Sequence, residues 1–269
     1  VTTYTAEYAG KTQTVFYSQA ILNDSYTYPV LIFANGTGFD YKIYEKLLVK
    51  FAENGYIVVA GQRYRCARRE GHGGQNLTQA VQNSCNPVMM TLAERMGTET
   101  FYKYFKNFGY LEKTGIDLPG EQKGVFYSES AFGTVDLACA SFGQNFKVSP
   151  IQQIMAVSTV ANGGYLMTPR MVKEVIDSEG NTLLRQEPTV LRQVISEETS
   201  KTMCAMIESV VTDGTAKNAA VGGYRVGGKT GTSEKIDVFD ENGQRVQDKI
   251  VSFVGIAPMD DPKYLVLVA

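Results

Sequence analysis

The sequence predicts a protein of mixed helix and strand, on three observations. A strand-rich opening runs into a strand–helix–strand unit, a central stretch shows helical spacing broken by glycine-rich loops, and three strand-like segments close the chain. With 269 residues, 43% hydrophobic and 20% charged, there is room for one large domain or two small ones.

The opening elements are the segments around Thr14 to Tyr17 and Pro29 to Ala34, the second punctuated by Asn35-Gly36-Thr37-Gly38. From Tyr41 to Asn54 the apolar residues Ile43, Tyr44, Leu47, Leu48 and Phe51 recur at three- and four-residue steps, a helix that Asn54-Gly55 stops. Tyr56 to Ala60 reads as the next buried strand. Leu77 to Met96 predicts two helical segments broken at Pro87, and Thr98 to Phe108 a short amphipathic helix rich in Tyr and Phe. Thr114 to Ser130 is loop-like around Pro119-Gly120, and Ser149 to Asn162 returns to helix after Pro150. Met171 to Ile176 and Thr182 to Gln186 flank Ser178-Glu179-Gly180-Asn181 as a hairpin. Ser196 to Val211 is a strong helix, followed by strands at Arg225 to Ser233, Ile250 to Ile256 and Tyr264 to Ala269.

Composition removes several function classes. Lys and Arg total 26 against 28 Asp and Glu, so no basic surplus points to nucleic acid as a partner. Apolar runs such as Pro29 to Ala34 fall far short of the roughly 18 to 20 residues that span a bilayer, and the opening residues form no signal peptide. Cys66, Cys85, Cys139 and Cys204 fit no zinc or CxxC spacing and read as buried thiols. With His72 the single histidine, no metal site is expected and no cofactor is implied, and a Ser-His-Asp mechanism would have to use that residue.

Two short motifs carry chemistry. Lys229-Thr230-Gly231-Thr232-Ser233 lies on a predicted strand after Gly227-Gly228. A lysine among hydroxyls grips a carboxylate by charge and hydrogen bonds, while glycine lets a substrate backbone come close. An edge strand of this kind also pairs with an extended peptide. The competing reading is a plain strand with a solvated lysine. Ser84-Cys85-Asn86 sits at a helix junction before Pro87, where the serine can relay a proton and the amide can hold a substrate amide. Such a triplet alone occurs by chance in about half of chains this long. In this order the two are the second and third motifs of serine acyl-transferases built on S-x-x-K, S-x-N and K-T-G.

From about Gly61 to Ala269 the chain resembles the transpeptidase domain of class B penicillin-binding proteins, particularly those of Gram-positive sporulation and septation. The resemblance rests on Arg65-Cys66, Gly71-His72-Gly73, Gln82 to Pro87, Phe108-Gly109 and Thr114 to Glu121. It continues through Phe142-Gly143-Gln144, Ser149 to Gln153, Ala161 to Gly164, Lys229 to Ser233 and Phe253-Val254-Gly255. It implies an α+β fold, an antiparallel sheet with helices on both faces and a helical subdomain carrying Ser84. It also implies D,D-transpeptidase chemistry on peptidoglycan stem peptides, with β-lactams as acylating mimics. Ser84 and Asn86 would then serve proton relay and substrate positioning, and Lys229, Thr230, Gly231 and Thr232 the strand that holds the substrate carboxylate. Full-length relatives are membrane-anchored, act at the extracytoplasmic face of the bacterial cytoplasmic membrane and work with cell-wall synthesis proteins.

The same resemblance exposes a gap. A serine hydroxyl is a weak nucleophile and needs a lysine one helical turn away, yet no serine in the chain begins an S-x-x-K. Phe39, Ile43 and Leu47 stand three residues before Lys42, Lys46 and Lys50 of the first helix. The N-terminal part, Tyr28 to Gly38 and Asn54 to Ala60, is instead similar to the opening of an α/β-hydrolase of the dienelactone-hydrolase or cutinase-like kind. There Gly36 and Thr37 would donate to an oxyanion hole, but no G-x-S-x-G follows. The expectation is a chimeric chain: residues 1–60 a hydrolase-like fragment, residues 61–269 a transpeptidase domain without its S-x-x-K segment, with the junction between Phe51 and Gly61. Three functions stay open: an incomplete transpeptidase domain, a pseudoenzyme that still binds stem peptides or β-lactams, and an esterase fragment.

Overall fold

The computed structural model of the chain describes residues 2–8, 11–17, 30–35, 45–53, 57–62, 68, 71–235, 240–241, 243–244, 246 and 248–269. They divide into two compact units, Val1–Gly71 and His72–Ala269.

The first unit is a four-stranded mixed sheet in the order β1-β2-β4-β3, where β1 is Thr2–Tyr8, β2 Lys11–Tyr17, β3 Val30–Asn35 and β4 Ile57–Gln62. β1 and β2 form an antiparallel hairpin, β2 pairs antiparallel with β4, and β3 pairs parallel with β4 from Val30↔Ile57 to Asn35↔Gln62. Parallel neighbours need a crossover. Helix α1, Glu45–Glu53, supplies it, with Leu48 fully buried and Leu47 half exposed. Asn35 ends β3, and Gly36 and Thr37, the oxyanion candidates, lie outside the described residues, as do Arg65 and Cys66.

The second unit opens with helices α2 Leu77–Gln82, α3 Asn86–Met96, α4 Thr98–Asn107, α5 Thr134–Ala140 and α6 Pro150–Ala161. The predicted break at Pro87 falls earlier: the chain turns at Asn83 to Cys85, and Pro87 sits in the first turn of α3, where a missing N–H costs nothing. Short strands β5 Tyr165–Met167, β6 Glu174–Ile176, β7 Thr182–Arg185 and β8 Val190–Gln193 follow, with β6 and β7 forming the expected hairpin and β5 pairing with β8. Helix α7, Glu197–Thr212, is capped by Ser196. Strands β9 Gly227–Lys235, β10 Asp248–Ala257 and β11 Tyr264–Val268 build an antiparallel sheet in the order β11-β10-β9.

Among the described residues, two buried clusters hold this unit. Around α3, α4 and α5, Ala93, Phe132, Leu137 and Ala140 are buried under Phe101, Tyr102, Phe126, Tyr127 and Phe146. Phe105 and Phe126 stack with ring centroids 4.0 Å apart. Beneath the sheet, Val210, Val211 and Ala216 meet Val81, Val226 and Phe253, so the end of α7 packs between α2 and β9. Helix α6 packs on α7 and β11. The thiols of Cys85 and Cys139 are buried as expected; Cys204 is only half-buried, because α7 leaves one flank at the surface.

Candidate active site

The K-T-G strand, β9, is an edge of its sheet among the described residues, and its register sets Lys229 opposite Val254, Thr230 opposite Phe253 and Thr232 opposite Val251. The preceding glycines are there for space. A Cβ on Gly228 would run into the Phe253 ring and the Val254 carbonyl, so only glycine lets the strand lie this close to β10.

Ser84 approaches from the other side of the sequence. Helix α2 begins with a capping box, in which Asn76 accepts from the Gln79 amide at 2.9 Å and Gln79 accepts in return from Asn76 at 3.0 Å. It ends in a turn where Ser84 takes a left-handed backbone, φ +50°. That conformation disfavours a residue with a Cβ, and three bonds hold the turn: Ser84 N–H to the Val81 carbonyl, Cys85 N–H to the Ala80 carbonyl and Thr215 N–H to the Gln82 carbonyl.

The two motifs meet. Lys229 Nζ lies 2.9 Å from Ser84 Oγ and donates to the Thr230 carbonyl at 2.7 Å. The lysine is half-buried, and burial, which penalises the ammonium, pulls its pKa below the usual lysine value. Thr230 Oγ1 stands 3.3 Å from Thr215 Oγ1, and Gln144 Nε2 donates to the Thr232 carbonyl at 3.2 Å. Lys229, Ser84 and Thr230 are therefore one constellation, with Thr232 tied to it along the strand. Asn86 opens α3 two residues after Ser84, and no hydrogen bond joins its amide to Lys229 or Thr230 among the described residues.

Thr215 and Gln144 belong to the site and were not singled out as site residues by the sequence. Gln144 stands in a matching triplet, Phe142-Gly143-Gln144, while Gly214-Thr215 reads as an ordinary helix stop. Its glycine has a second use: a Cβ there would lie 2.7 Å from the Gln82 carbonyl and break the tie that seats Ser84. A lysine, the four hydroxyls of Ser84, Thr215, Thr230 and Thr232, and a strand edge can bind a carboxylate-bearing extended peptide. Among the described residues no group of three or more His, Cys, Asp or Glu side chains could hold a metal.

The family model for the penicillin binding protein transpeptidase domain matches residues 33–269, so the match starts within β3 and takes in α1 and β4. Stage V sporulation protein D of Bacillus subtilis is 49% identical over 222 residues, 82% of this chain and 34% of that protein. Penicillin-binding protein PbpB of Mycolicibacterium smegmatis is 34% identical over 225 residues, 79% of this chain and 34% of that protein. The chain thus spans about a third of the length of these relatives. A crystal structure of penicillin binding protein 3 from Mycobacterium tuberculosis, complexed with aztreonam, superposes with a TM-score of 0.65 at 28% identity, covering 71% of this chain and 44% of that one.

Proposed function

Since this chain belongs to the penicillin-binding protein transpeptidase domain family, we propose that it is the substrate-holding part of a peptidoglycan D,D-transpeptidase that has lost its acylating serine. The observation that carries this reading is the 2.9 Å contact between Lys229 and Ser84, 145 positions apart, beside a free strand edge. The S-x-N and K-T-G walls persist, so a stem peptide or β-lactam would lay its backbone along β9 and its carboxylate against Lys229, Thr230 and Thr232. Without S-x-x-K the family's own acylating serine is missing. The working place of such a domain is the extracytoplasmic face of the cytoplasmic membrane, beside cell-wall synthesis partners; no described helix is long and apolar enough to cross a membrane.

The α+β unit carries this function, and we propose residues 1–60 as a fragment of α/β-hydrolase type, although the transpeptidase family match already takes in residues 33–60. In support, β3, α1 and β4 make a parallel crossover whereas the sheet of β9 to β11 is antiparallel throughout, and the contacts divide the chain in two. The division after Gly71 lies beyond the 51–61 junction read from sequence, since β4 pairs with β2 and β3.

Labelling with fluorescent penicillin tests the loss of the acylating serine: no stable adduct is expected, and a stable covalent adduct on any serine would overturn it. Calorimetric titration with a stem peptide tests the retained wall. Lys229→Ala removes a charge-assisted hydrogen bond, about 1.5–3 kcal/mol, and weakens binding tenfold or more. Equal binding by the variant, or none by the unaltered chain, rejects the binding role.

A further inference from the structure

Ser84 and Lys229 have a geometry that exceeds what holding a peptide requires. The serine occupies a left-handed turn, φ +50°, at the mouth of an eleven-residue helix, and the turn is fixed by two backbone bonds back to α2 and a third from Thr215 beyond α7. Strained backbone that is this well supported pushes a side chain out for use. Cys85, the cap residue of α3, makes no side-chain capping bond, so the N–H groups of the first helical turn stand directly after the serine. Lys229 has its second hydrogen bond to the Thr230 carbonyl. In the structure the amine donates to both the Ser84 hydroxyl and the Thr230 carbonyl; once neutral it keeps an N–H for that carbonyl and its lone pair can take the Ser84 proton across the same 2.9 Å contact. No carboxylate bonds to Lys229 among the described residues, and desolvation favours the neutral amine.

The geometry points to Ser84 and Lys229 as a serine–lysine catalytic pair that hydrolyses small activated carboxylic esters, with Ser84 itself as the nucleophile. The inference rests on the same site as the peptide-holding role but gives the serine a different task. In the first half, Ser84 Oγ attacks the ester carbonyl carbon while its proton passes to Lys229 Nζ. The tetrahedral oxyanion is stabilised by first-turn N–H groups of α3 such as those of Asn86 and Val88, Pro87 having none. The C–O bond to the leaving group then breaks, the Lys229 ammonium returns the proton to the departing oxygen, and acyl-Ser84 remains. In the second half, water attacks the acyl carbon, Lys229 Nζ takes its proton, the Ser84–acyl bond breaks, and the proton goes back to Ser84 Oγ as the carboxylic acid leaves. Serine activated by an amine is an established variant of nucleophilic catalysis.

The test uses p-nitrophenyl acetate with the full chain: nitrophenolate release is followed by absorbance, and acid-quenched protein is digested for mass-spectrometric location of the acetyl group. The expected result is turnover above buffer, acetyl on Ser84, and a loss of about 100-fold in both Ser84→Gly and Lys229→Met, the magnitude of a lost general base. Glycine accepts the left-handed turn without strain, so Ser84→Gly removes the hydroxyl with the least disturbance of the fold. Ser84→Cys should still be acetylated at position 84. Turnover unchanged in Ser84→Gly, or acetyl found only on other side chains, overturns the pair. Stem-peptide titration on the same samples separates the two readings. Peptide binding without Ser84-dependent turnover leaves the retained wall and removes the pair; acetyl-Ser84 without peptide binding does the reverse.

Discussion

Gln152 has no exposed surface, yet it is fully polar, and its bonds explain why it is there. Its Nε2 reaches the carbonyls of Tyr110 at 3.1 Å and Glu112 at 2.7 Å, with that of Gly109 at 3.5 Å, while its Oε1 accepts from the Ser149 amide at 2.9 Å. One amide thus closes the α6 capping box and feeds a loop that has no strand to pair with. Gln152→Leu keeps the volume and strands those groups, so the chain should lose about 3 kcal/mol of stability, the cost of leaving buried groups unmet. Urea denaturation checks this, with a lower midpoint at an unchanged slope. The cap itself was legible, because Ser149-Pro150 announces a helix start. The reach of Gln152 to a distant loop was not, since no local pattern encodes a tertiary acceptor. The same holds at the candidate active site: the resemblance grouped Ser84 and Lys229, but only the fold gives their contact and adds Thr215 and Gln144.

At the scale of elements, the strongly periodic and capped segments were readable and the short or uniformly apolar ones were not. Helices α4, α6 and α7 lie where spacing and caps put them. Helix α5 was missed because its residues Leu137 to Ala140 are all buried, leaving no polar face to set a period. The β5–β8 pair was missed because strands of three and four residues carry too little alternation and pair across a long gap. The loop-like Thr114 to Ser130 was anticipated as a loop, and carboxylates organise it. Glu121 accepts from the Thr114 amide and hydroxyl and from the Gly115 amide, and Asp117 accepts from the amides of Met171 and Val172. The amides of Met171 and then Val172 draw the Asp117 pKa below the usual carboxylate value. For Glu121, desolvation pushes up, but the Thr114 and Gly115 bonds outweigh it and the net shift is down. A pKa lowered in the folded state means stabilisation that is present above the unfolded value and lost as pH falls through the folded one. Hydrogen exchange at the Met171 and Val172 amides should therefore show protection at neutral pH that fades below about pH 4. Asp117→Asn should remove most of it at every pH; protection that is flat in the unaltered chain would reject the role of the carboxylate.

For the molecule as a whole, composition and length concealed the division after Gly71 into two compact units, because each has an ordinary balance of apolar and charged residues; the junction read from motif order, between Phe51 and Gly61, lies elsewhere. The energetic consequence is measurable. Among the described residues the β9–β11 sheet has three strands, and on it Val251 is 68% exposed, Tyr264 72% and Val268 61%; the β6–β7 hairpin adds Ile176 at 60% and Leu183 at 67%. Large apolar side chains held in water contribute almost none of the roughly 1.5–3 kcal/mol each would give on full burial. Against a typical net stability of about 5–15 kcal/mol, a few such residues are a large fraction. Two compact units of this kind should also fail separately. Scanning calorimetry of the full chain should show a low, broad transition whose calorimetric enthalpy exceeds the van't Hoff value, with binding of a hydrophobic dye before unfolding. One sharp transition with equal enthalpies, at an ordinary mesophile temperature of about 45–65 °C, would mean instead that the two units unfold as one and that the exposed valines are no burden.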